Sequence, residues 1–510
     1  MAPALPSNGA SQSSEVTSLN ILTLNCWGLK FISKFRNQRL EEIGRRLASA
    51  SPTPEIVGLQ ECWTQRDYLQ IRDLTRTILP YGKFYHSGIF GGGLAILSKF
   101  PIVDSNMVRY PLNGRPTAFF RGDWFVGKGV ACATIELAPG RRGDIVEVFC
   151  THLHAPYERE PNDSYLCHRT AQAWEVAKLM RGAAEKGRAV IGLGDFNMVP
   201  LSFAHQLITA HAPVQDVWRV LHPDSSLGSA NHPPERARGK EIPNARFNIE
   251  KNGTTCDSAL NTWRWSKQVQ KRLFNGESII VEDGTPDPRA KRLDYIFFSN
   301  GLKVPDSTPI WKVHSVKVGM TDPHSSIGCS LSDHFSVEAT LSRPNAILIT
   351  DKPTSTSSPK NPDPFPPIDT ETPTPLPPST YSQILSLIAT YTTRERHQRL
   401  LRLSHFGLSV LVSIGCFIAI WYSPRPFVSF LLLLLSTLGF GAGVVDGLIG
   451  GLFVGSELRA LKEFEWEVRN ARDVAEERER LGGGDGDGVV GGRRRGDREG
   501  GLRGEDEKSN

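Results

Sequence analysis

Two long apolar segments near the C-terminus constrain the fold of this chain of 510 residues more than any other feature. Residues 403–422 and 427–445 contain no Asp, Glu, Lys or Arg. At about 1.5 Å per residue, each segment is long enough to cross a hydrocarbon core of about 30 Å. Only a Ser-Pro-Arg-Pro turn connects them, so the sequence predicts a transmembrane hairpin with both outer ends on one side of the bilayer. A buried core hairpin of a soluble domain is the alternative.

Charges around the two segments predict their orientation. The first segment is preceded by Arg394, Arg396, Arg399 and Arg402, whereas the connecting turn contains only Arg425. The positive-inside rule then places both outer ends in the cytosol. Eight cysteines without a CxxC pair, and a start without a signal-peptide pattern, also favour a reducing compartment. We expect an integral membrane protein with a cytosol-facing body, in the endoplasmic reticulum, the mitochondrial outer membrane or the plasma membrane.

A glycine recurs at every fourth position of the second segment, at Gly439, Gly443, Gly447, Gly451 and Gly455. Such a stripe allows close helix packing. It indicates a packed hairpin and suggests a homo-oligomer formed through the stripe. Asp446 lies on its flank and is either hydrogen-bonded within the hairpin or marks the membrane boundary.

Composition divides the rest of the chain. Pro, Ser and Thr dominate after residue 343, and Gly, Asp, Arg and Glu dominate at the C-terminus, so neither stretch can bury enough apolar surface to fold alone. The predicted parts are a catalytic-type body at 19–342, a linker at 343–390, transmembrane helices at 403–422 and 427–455, a charged helix at 456–480 and a disordered tail at 481–510. We expect the linker to be a flexible tether of about 35–45 Å reach and the charged helix to be a solvated stalk.

The net charge is unevenly distributed. The whole chain carries +5, and residues from 456 onward carry 12 Lys and Arg against 15 Asp and Glu, which leaves +8 on the preceding part. A mildly basic body suits anionic partners but does not choose among nucleic acid, phosphates and anionic lipid.

Short apolar runs typical of strands alternate with amphipathic helical runs in the body, which indicates an α/β or mixed sandwich. The predicted strands are 20–27, 55–61, 94–99, 130–137, 145–152, 189–195, 293–299, 313–318 and 335–341. The predicted helices are 37–50, 65–78 and 165–185. Residues 221–292 are predicted to be loop-rich and substrate-facing.

Polar side chains close several of these strands, namely Asn25, Glu61, His152, Asp195 and Asp294. Strand ends of a rigid sheet can direct several side chains to one point. Hydrolysis of a phosphate ester needs a hard cation, a base for water and donors for the phosphate oxygens. Carboxylate and amide oxygens suit Mg²⁺. Taken singly, each residue also has an ordinary interpretation as a cap, a solvated acid or a structural hydrogen-bonding group.

Five segments carry these residues, at 24–28 (Leu-Asn-Cys-Trp-Gly), 58–61 (Gly-Leu-Gln-Glu), 151–154 (Thr-His-Leu-His), 194–197 (Gly-Asp-Phe-Asn), and 293–295 with 332–334 (Leu-Asp-Tyr and Ser-Asp-His). In this order they resemble the exonuclease-endonuclease-phosphatase superfamily. The segments 122–129, 151–157, 255–258 and 261–263, together with the C-terminal hairpin, are similar to the neutral sphingomyelinases and to the fungal inositol phosphosphingolipid phospholipases C. The implied fold is α+β, a DNase I-like four-layer sandwich of two packed β-sheets flanked by helices, followed by the two-helix transmembrane hairpin.

The resemblance implies a Mg²⁺ site, with Mn²⁺ as the alternative ion. It implies that Glu61 is the main metal ligand, that Asn25 lies beside it, and that Asp333 is near the metal shell. His334 would be the general base, held in its tautomer by Asp294.

The remaining implied roles concern the phosphate and the product. Asp195 would position or protonate the reacting groups, and Asn197 and His152 would donate to the phosphate. The expected products are ceramide and a phosphorylated headgroup, with inositol phosphosphingolipid or sphingomyelin as substrate.

The segment 122–128 matches the spacing of a phosphate-binding P-loop, but Gly129 replaces Ser or Thr, which disfavours a nucleotide site. In the resembling family it is a switch loop, implying that Asp123 and Lys128 pair or reorient when an anionic phospholipid activates the enzyme. The ordinary interpretation is a surface loop.

Other functions of the same fold stay open at this point. A metal-dependent nuclease or phosphoinositide phosphatase is one class, and a non-catalytic membrane scaffold is another. The basic excess is modest and no tract of alternating basic and aromatic residues is present, which argues against a nucleic acid partner. The sequence retains Glu61, Asp195, Asn197 and His334, which argues against the scaffold.

Overall fold

The computed structural model describes residues 16–138, 144–158, 162–302, 310–344 and 376–482. Its strands are β1 Ser18–Asn25, β2 Ile56–Gln60, β3 Tyr81–Tyr85, β4 Leu94–Ser98, β5 Ile102–Arg109, β6 Gly129–Glu136, β7 Ile145–His152, β8 Ala189–Asp195, β9 Gln215–Asp216, β10 Asp294–Ser299, β11 Lys312–Gly319 and β12 Ser336–Ser342. Its α-helices are α1 Arg36–Ser49, α2 Gln65–Thr75, α3 Asp123–Val126, α4 Leu166–Glu185, α5 Phe203–His211, α6 Val217–Leu221, α7 Pro233–Arg236, α8 Ala245–Phe247, α9 Lys267–Phe274, α10 Pro378–Tyr422, α11 Pro426–Leu448 and α12 Val454–Gly482. Short 3₁₀ and π turns lie at Pro116–Arg121, Asn248–Asn252, Thr262–Arg264 and Ile449–Phe453.

The strands form two six-stranded sheets. The first has the order β11-β12-β1-β2-β4-β3, and the second has the order β5-β6-β7-β8-β10-β9. Apolar side chains from both sheets, including Ile21, Ile96, Val148 and Ile191, form one core between them. A second core joins the first sheet to α1 and α2, and a third joins the second sheet to α4 and α5. The expected four-layer sandwich is therefore confirmed.

All nine predicted strands are present, and the missed strands lie at sheet edges. β3 and β5 are the outer strands of their sheets. All eight residues from Ile102 to Arg109 are exposed or partly exposed and four of them are polar or charged, so β5 lacks the apolar run of a central strand. An edge strand with one solvated side carries a weak sequence signal. The segment 221–292 contains only short helices and turns, as predicted.

The C-terminal helices form the expected hairpin. α10 and a continuous helix over Pro426–Leu481 are each long and apolar enough to cross a membrane. Between them, Ser413 donates to the carbonyl of Ser436 at 3.4 Å, and a Cβ at Gly443 would lie 1.9 Å from the Ser409 hydroxyl. Part of the glycine stripe thus packs within the hairpin. A Cβ at Gly439 would meet no atom within 4 Å among the described residues.

Asp446 is hydrogen-bonded within the hairpin. It accepts hydrogen bonds from Arg402 and from His405 Nδ1, the latter at 2.8 Å. Arg402 is the last charged residue before the first apolar segment, and the interpretation of Asp446 as a marker of the membrane boundary stays a prediction.

The parts of these helices that lie outside the two apolar segments pack against the body. Tyr381 and Ile384 of α10 and Leu461 and Phe464 of α12 form one buried cluster with Trp174 of α4. The expectation of a solvated stalk is therefore wrong along one face of α12. The helix α10 already begins at Pro378, inside the predicted linker, while linker residues 345–375 and tail residues 483–510 lie outside the described residues.

A buried polar contact lies in the same interface. His168 Nε2 of α4 lies 2.9 Å from Glu457 Oε1 of α12, and the Tyr391 hydroxyl donates to the same oxygen at 2.8 Å. Burial lowers the pKa of His168 to about 4 and raises the pKa of Glu457 to about 8. Both groups are therefore neutral at pH 7, and the contact is a hydrogen bond rather than an ion pair.

Candidate active site

The topology brings the predicted site residues to one end of both sheets. The parallel pairs β1/β2 and β7/β8 place Asn25 opposite Gln60 and His152 opposite Asp195. β10 is antiparallel to β8, so its first residue, Asp294, pairs with Asp195. β12 is antiparallel to β1, so the residues just before β12 lie at the same end.

Asn25 connects two carboxylates at the centre of the site. Its Nδ2 atom donates to Glu61 Oε1 at 3.1 Å and to Asp195 Oδ2 at 3.0 Å. Its Oδ1 atom accepts from the backbone N–H of Trp27 at 3.0 Å. In this arrangement the amide nitrogen, rather than the oxygen, faces Glu61. Ligation of a metal through Asn25 Oδ1 therefore stays a prediction that requires the amide to rotate.

The backbone around Glu61 is unusually constrained. Glu61 has a φ of 52°, in the left-handed region that non-glycine residues rarely adopt. The N–H of Gly28 donates to its carbonyl at 3.0 Å, and a Cβ at position 28 would lie only 2.3 Å from that oxygen. Strained backbone of this kind persists where surrounding contacts fix it, and it is common at functional sites. Gly28 thus fixes the direction in which the Glu61 side chain leaves the strand.

His334 and Asp294 form a buried pair next to these carboxylates. His334 Nδ1 lies 2.8 Å from Asp294 Oδ2, and its Nε2 atom lies 3.8 Å from Asp195 Oδ2. The pair is held by Ser332, whose hydroxyl accepts from the N–H of His334 at 3.2 Å and donates to the carbonyl of Asn25 at 2.6 Å. Thr255 Oγ1 accepts from the N–H of Asp294 at 3.3 Å. Nε2 of His334 is thereby directed toward the other catalytic candidates.

His152 and Asn197 complete the set around Asp195. His152 Nε2 lies 3.5 Å from Asp195 Oδ2, and the N–H of Asn197 donates to Asp195 Oδ1 at 2.9 Å. Asn197 Nδ2 donates to the carbonyl of Leu153 at 3.1 Å, which fixes the turn after β8. Asn197 has a φ of 46°, a conformation that Asn tolerates better than most residues.

Burial and mutual repulsion shift the pKa values of the acids in the site. Burial and the nearby Asp333 charge raise the pKa of Glu61, and burial also raises the pKa of Asp333. Burial raises the pKa of Asp195 to about 6. Burial would lower the pKa of His334, but the charges of Asp294, Cys256 and Asp195 raise it well above its ordinary value. Perturbed titratable groups clustered in this way are typical of functional sites.

The donor set suits a hard divalent cation. Glu61 and Asp333 are two partly buried carboxylates that repel each other, and no Lys or Arg forms an ion pair with either of them in the described part of the chain. Asp195, Asp294 and His334 form a second group whose ligand atoms lie within 4.8 Å of one another. Oxygen-rich sets of this kind match the preferences of Mg²⁺ and Mn²⁺.

The two switch-loop residues lie at the edge of the site. Lys128 is buried, and its Nζ atom donates to the carbonyls of Leu153 and His152 at 3.2 and 3.4 Å. Burial lowers the pKa of Lys128. Asp123 instead accepts from the Tyr157 hydroxyl at 3.1 Å. The two do not form an ion pair with each other in the described residues, so their pairing stays a prediction.

Two residues that support the site were missed by the sequence reasoning. Arg39 of α1 is buried and donates to the carbonyls of Leu331, Trp27 and Cys26, at 2.6, 2.9 and 3.3 Å. It ties together the loops that carry Asn25 and Asp333. The available signal was an arginine next to the apolar face of an amphipathic helix. The second supporting residue is Gly28, whose own role the sequence segment 24–28 did not indicate.

Comparisons with known proteins agree with this geometry. The sequence model of the Endonuclease/Exonuclease/phosphatase family matches residues 22–334. A protein of Schizosaccharomyces pombe named inositol phosphosphingolipids phospholipase C is 39% identical over 460 residues, covering 89% of this chain and 94% of that protein. Its namesake in Saccharomyces cerevisiae is 33% identical over 484 residues, covering 90% and 91%. Human sphingomyelin phosphodiesterase 2 is 30% identical over 325 residues, covering 63% and 64%.

Proposed function

The chain belongs to the endonuclease/exonuclease/phosphatase family, and we propose that it is a phosphoric diester hydrolase that cleaves phosphosphingolipids in the manner of a phospholipase C. The products would be ceramide and a phosphorylated headgroup. The family match confirms the resemblance drawn from the motifs. The substrate class rests on the names of the relatives, two of which match this chain almost end to end.

One observation carries the proposal of catalysis. The buried His334–Asp294 pair, at 2.8 Å, faces Asp195, and Asn25 connects Asp195 to Glu61 on the other side. These side chains come from the ends of separate strands of two sheets. Asp195 and Asp294 are buried, and no Lys or Arg forms an ion pair with either of them among the described residues. Burying carboxylates without a cation is costly, so their convergence favours a role in chemistry.

Water activation is assigned to His334. Asp294 holds the Nδ1–H tautomer, so the Nε2 lone pair of the neutral imidazole can accept a proton from water. Asp294 then stabilises the imidazolium that forms. Because the surrounding acids raise the pKa of His334, the base role requires a compensating positive charge in the site.

Glu61 is proposed as the main ligand of Mg²⁺, with Asp333 nearby and Asn25 beside it. When bound, the ion would supply the charge that stabilises the pentavalent transition state and lowers the pKa of His334. Relief of the repulsion between Glu61 and Asp333 supports this assignment.

The phosphate is proposed to bind between the two halves of the site. Donation to the phosphate oxygens is assigned to His152, whose Nε2 atom lies 3.5 Å from Asp195 Oδ2, and to Asn197, whose Nδ2 atom would leave the carbonyl of Leu153 to reach the phosphate. Burial lowers the pKa of His152 well below its ordinary value, so it would donate as a neutral imidazole. Asp195, with a pKa of about 6, would position these groups or protonate the leaving oxygen.

Regulation by anionic phospholipid is proposed to act through Asp123 and Lys128. Lys128 is held by two carbonyl groups rather than by a carboxylate, so a modest rearrangement of the loop could bring its ammonium to a phosphate. The same chemistry makes an anionic lipid headgroup a suitable activator.

The membrane arrangement is also a proposal. Two apolar C-terminal helices are compatible with anchoring, and the charge bias would place the body, residues 19–342, in the cytosol with spans at 403–422 and 427–455. Homo-oligomers would form through the part of the stripe at Gly439, which the hairpin does not use.

Product analysis tests the proposal. Purified full-length protein would be incubated with inositol phosphosphingolipid, sphingomyelin, a phosphoinositide and single-stranded DNA, with Mg²⁺ or with EDTA. We expect ceramide release only from the phosphosphingolipids and only with Mg²⁺. H334A should abolish it, whereas H314A, at a histidine on β11, should not. Cleavage of DNA or phosphoinositide without ceramide release would refute the proposal.

A further inference from the structure

Four exposed apolar side chains on two loops of the body lie close to the hairpin. Ile89 and Phe90 are 75% and 60% exposed, and Phe119 and Phe120 are 50% and 76% exposed. We call these four residues the apolar platform. Large apolar side chains exposed in adjacent pairs are typical of sites of interaction.

The second loop of the platform lies at the predicted membrane boundary. Arg402 Nη2 donates to the carbonyl of Thr117 at 3.0 Å. Arg402 also pairs with Asp446, at the start of the first apolar segment and the end of the second. Phe120 is three residues beyond Thr117, and therefore no more than about 10 Å from that carbonyl. The headgroup layer on each side of a bilayer is about 5–8 Å thick, so Phe119 and Phe120 lie within reach of the lipid if Arg402 marks the membrane boundary.

An aromatic series connects the first loop to the same level. The ring of Trp124 stacks on Phe453, just after the second apolar segment, with a centroid distance of 4.2 Å. Phe125 lies 5.3 Å from Trp124 and 6.0 Å from Phe90. The N–H of Ile89 donates to the carbonyl of Phe125 at 2.9 Å. Tryptophan favours membrane–water interfaces, and this series connects Ile89 and Phe90 to Phe453 of the C-terminal helices.

The platform is continuous with one wall of the active site. A Cβ at Gly88 would lie 2.4 Å from the carbonyl oxygen of Val126, so the loop with Ile89 packs tightly against the segment that leads to Lys128. Lys128 in turn donates to the carbonyl of His152, whose ring faces Asp195. A displacement of the platform would therefore be transmitted to the active site through the Lys128 side chain.

We propose that the apolar platform inserts into the cytosolic leaflet of the bilayer that holds the hairpin, and that it sets the mouth of the active site at the height of the lipid phosphates. Its partner is the apolar boundary of a phospholipid bilayer rather than a protein. The hairpin alone would hold the chain in the membrane, whereas the platform fixes the tilt of the body. The inference rests on the proposed membrane anchor, and its link to turnover rests on the proposed function.

Depth-dependent quenching tests insertion without any need for turnover. The full chain carrying F120C would be labelled with an environment-sensitive fluorophore and reconstituted into phosphatidylcholine vesicles that contain doxyl-labelled lipid. The native cysteines are buried or partly buried, which favours labelling at the introduced site. I280C is the matched control, because Ile280 is 83% exposed on the loop-rich segment. We expect strong quenching at position 120 and little at 280, and equal quenching at both would overturn the proposal.

Turnover provides the second measurement. The double variant F119S/F120S should lower hydrolysis of phosphosphingolipid in vesicles by about tenfold or more, the scale expected for losing an inserted aromatic side chain. Hydrolysis of a short-chain substrate below its micellar concentration should be unchanged. F120W should retain activity on vesicles, and I280S should match the wild type on both substrates. Equal loss of activity on both substrates would overturn the proposal, whereas quenching without any hydrolysis would refute only the proposed function.

Discussion

Substituting Gly28 by alanine should misplace the proposed metal ligand without touching it chemically. The new Cβ would lie 2.3 Å from the carbonyl oxygen of Glu61, whereas an ordinary contact is 3.4–4 Å. One of the two backbones must therefore move by about 1 Å. Gly28 does not have a positive φ, so the substitution adds a clash rather than a strained backbone conformation at its own position.

The displacement has a predictable effect on rate. Glu61 already holds a left-handed φ of 52°, and its carbonyl is fixed by the N–H of Gly28 at 3.0 Å. A shift of this carbonyl rotates the carboxylate away from Asn25. Misplacement of a catalytic group by about 1 Å lowers rates by roughly 10²-fold. The clash itself should destabilise the fold by about 1–3 kcal/mol, which the protein should tolerate.

The assay is phosphosphingolipid turnover against Mg²⁺ concentration for wild type, G28A and G182A. Gly182 lies in α4, and a Cβ there would meet no atom within 4 Å, so G182A is the matched control and should be fully active. G28A should show about 10²-fold lower kcat and a higher Mg²⁺ requirement, with a cooperative thermal transition retained. If G28A is folded and within threefold of the wild type in both quantities, the reasoning about Glu61 is refuted.

Three further predictions follow from the site and the interface. D294N should lower kcat by about 10²–10⁴-fold with little change in KM, because the amide has no negative charge with which to hold the His334 tautomer. An unchanged kcat would contradict the role of His334 as the base. Without metal, E61Q should melt at a higher temperature than the wild type, because it removes the repulsion between the Glu61 and Asp333 carboxylates. A lower melting temperature of E61Q in EDTA would contradict this repulsion. E457Q should flatten the pH dependence of stability. The folded-state pKa of about 8 exceeds the ordinary 4.5, so the folded state binds more protons and stability falls as pH rises between these values. The variant should therefore melt higher than the wild type at pH 8 and similarly at pH 5, as measured by thermal scans in detergent, and parallel pH profiles would refute the assignment.

The central strands and their terminal residues could be predicted from the sequence because burial on both faces leaves uninterrupted apolar runs. The polar residue that ends each run is then conspicuous, which is how Asn25, Glu61, His152 and Asp195 were found. Their convergence follows from strand order, which periodicity does not encode. Three of the edge strands were missed for the opposite reason, since β3 and β5 consist mostly of exposed or partly exposed residues and β9 has only two residues.

The docking of the C-terminal helices could not be predicted from composition. α12 is rich in charge, and only one of its faces is apolar, which fits a solvated helix as well as a packed one. Glu457 is buried by a tertiary contact with His168, and no local pattern distinguishes it from the exposed glutamates that follow. The orientation of the Asn25 amide likewise depends on neighbours that are distant in the sequence.

The body is attached to the hairpin in two ways, by the peptide chain and by the interface between α4, α10 and α12. The peptide chain reaches the hairpin through residues 345–375, but the helices that extend from the two apolar segments also hold the body by noncovalent packing. Proteolytic cleavage between the two halves should consequently leave them associated, and the halves expressed as separate polypeptides should reassemble as a split enzyme.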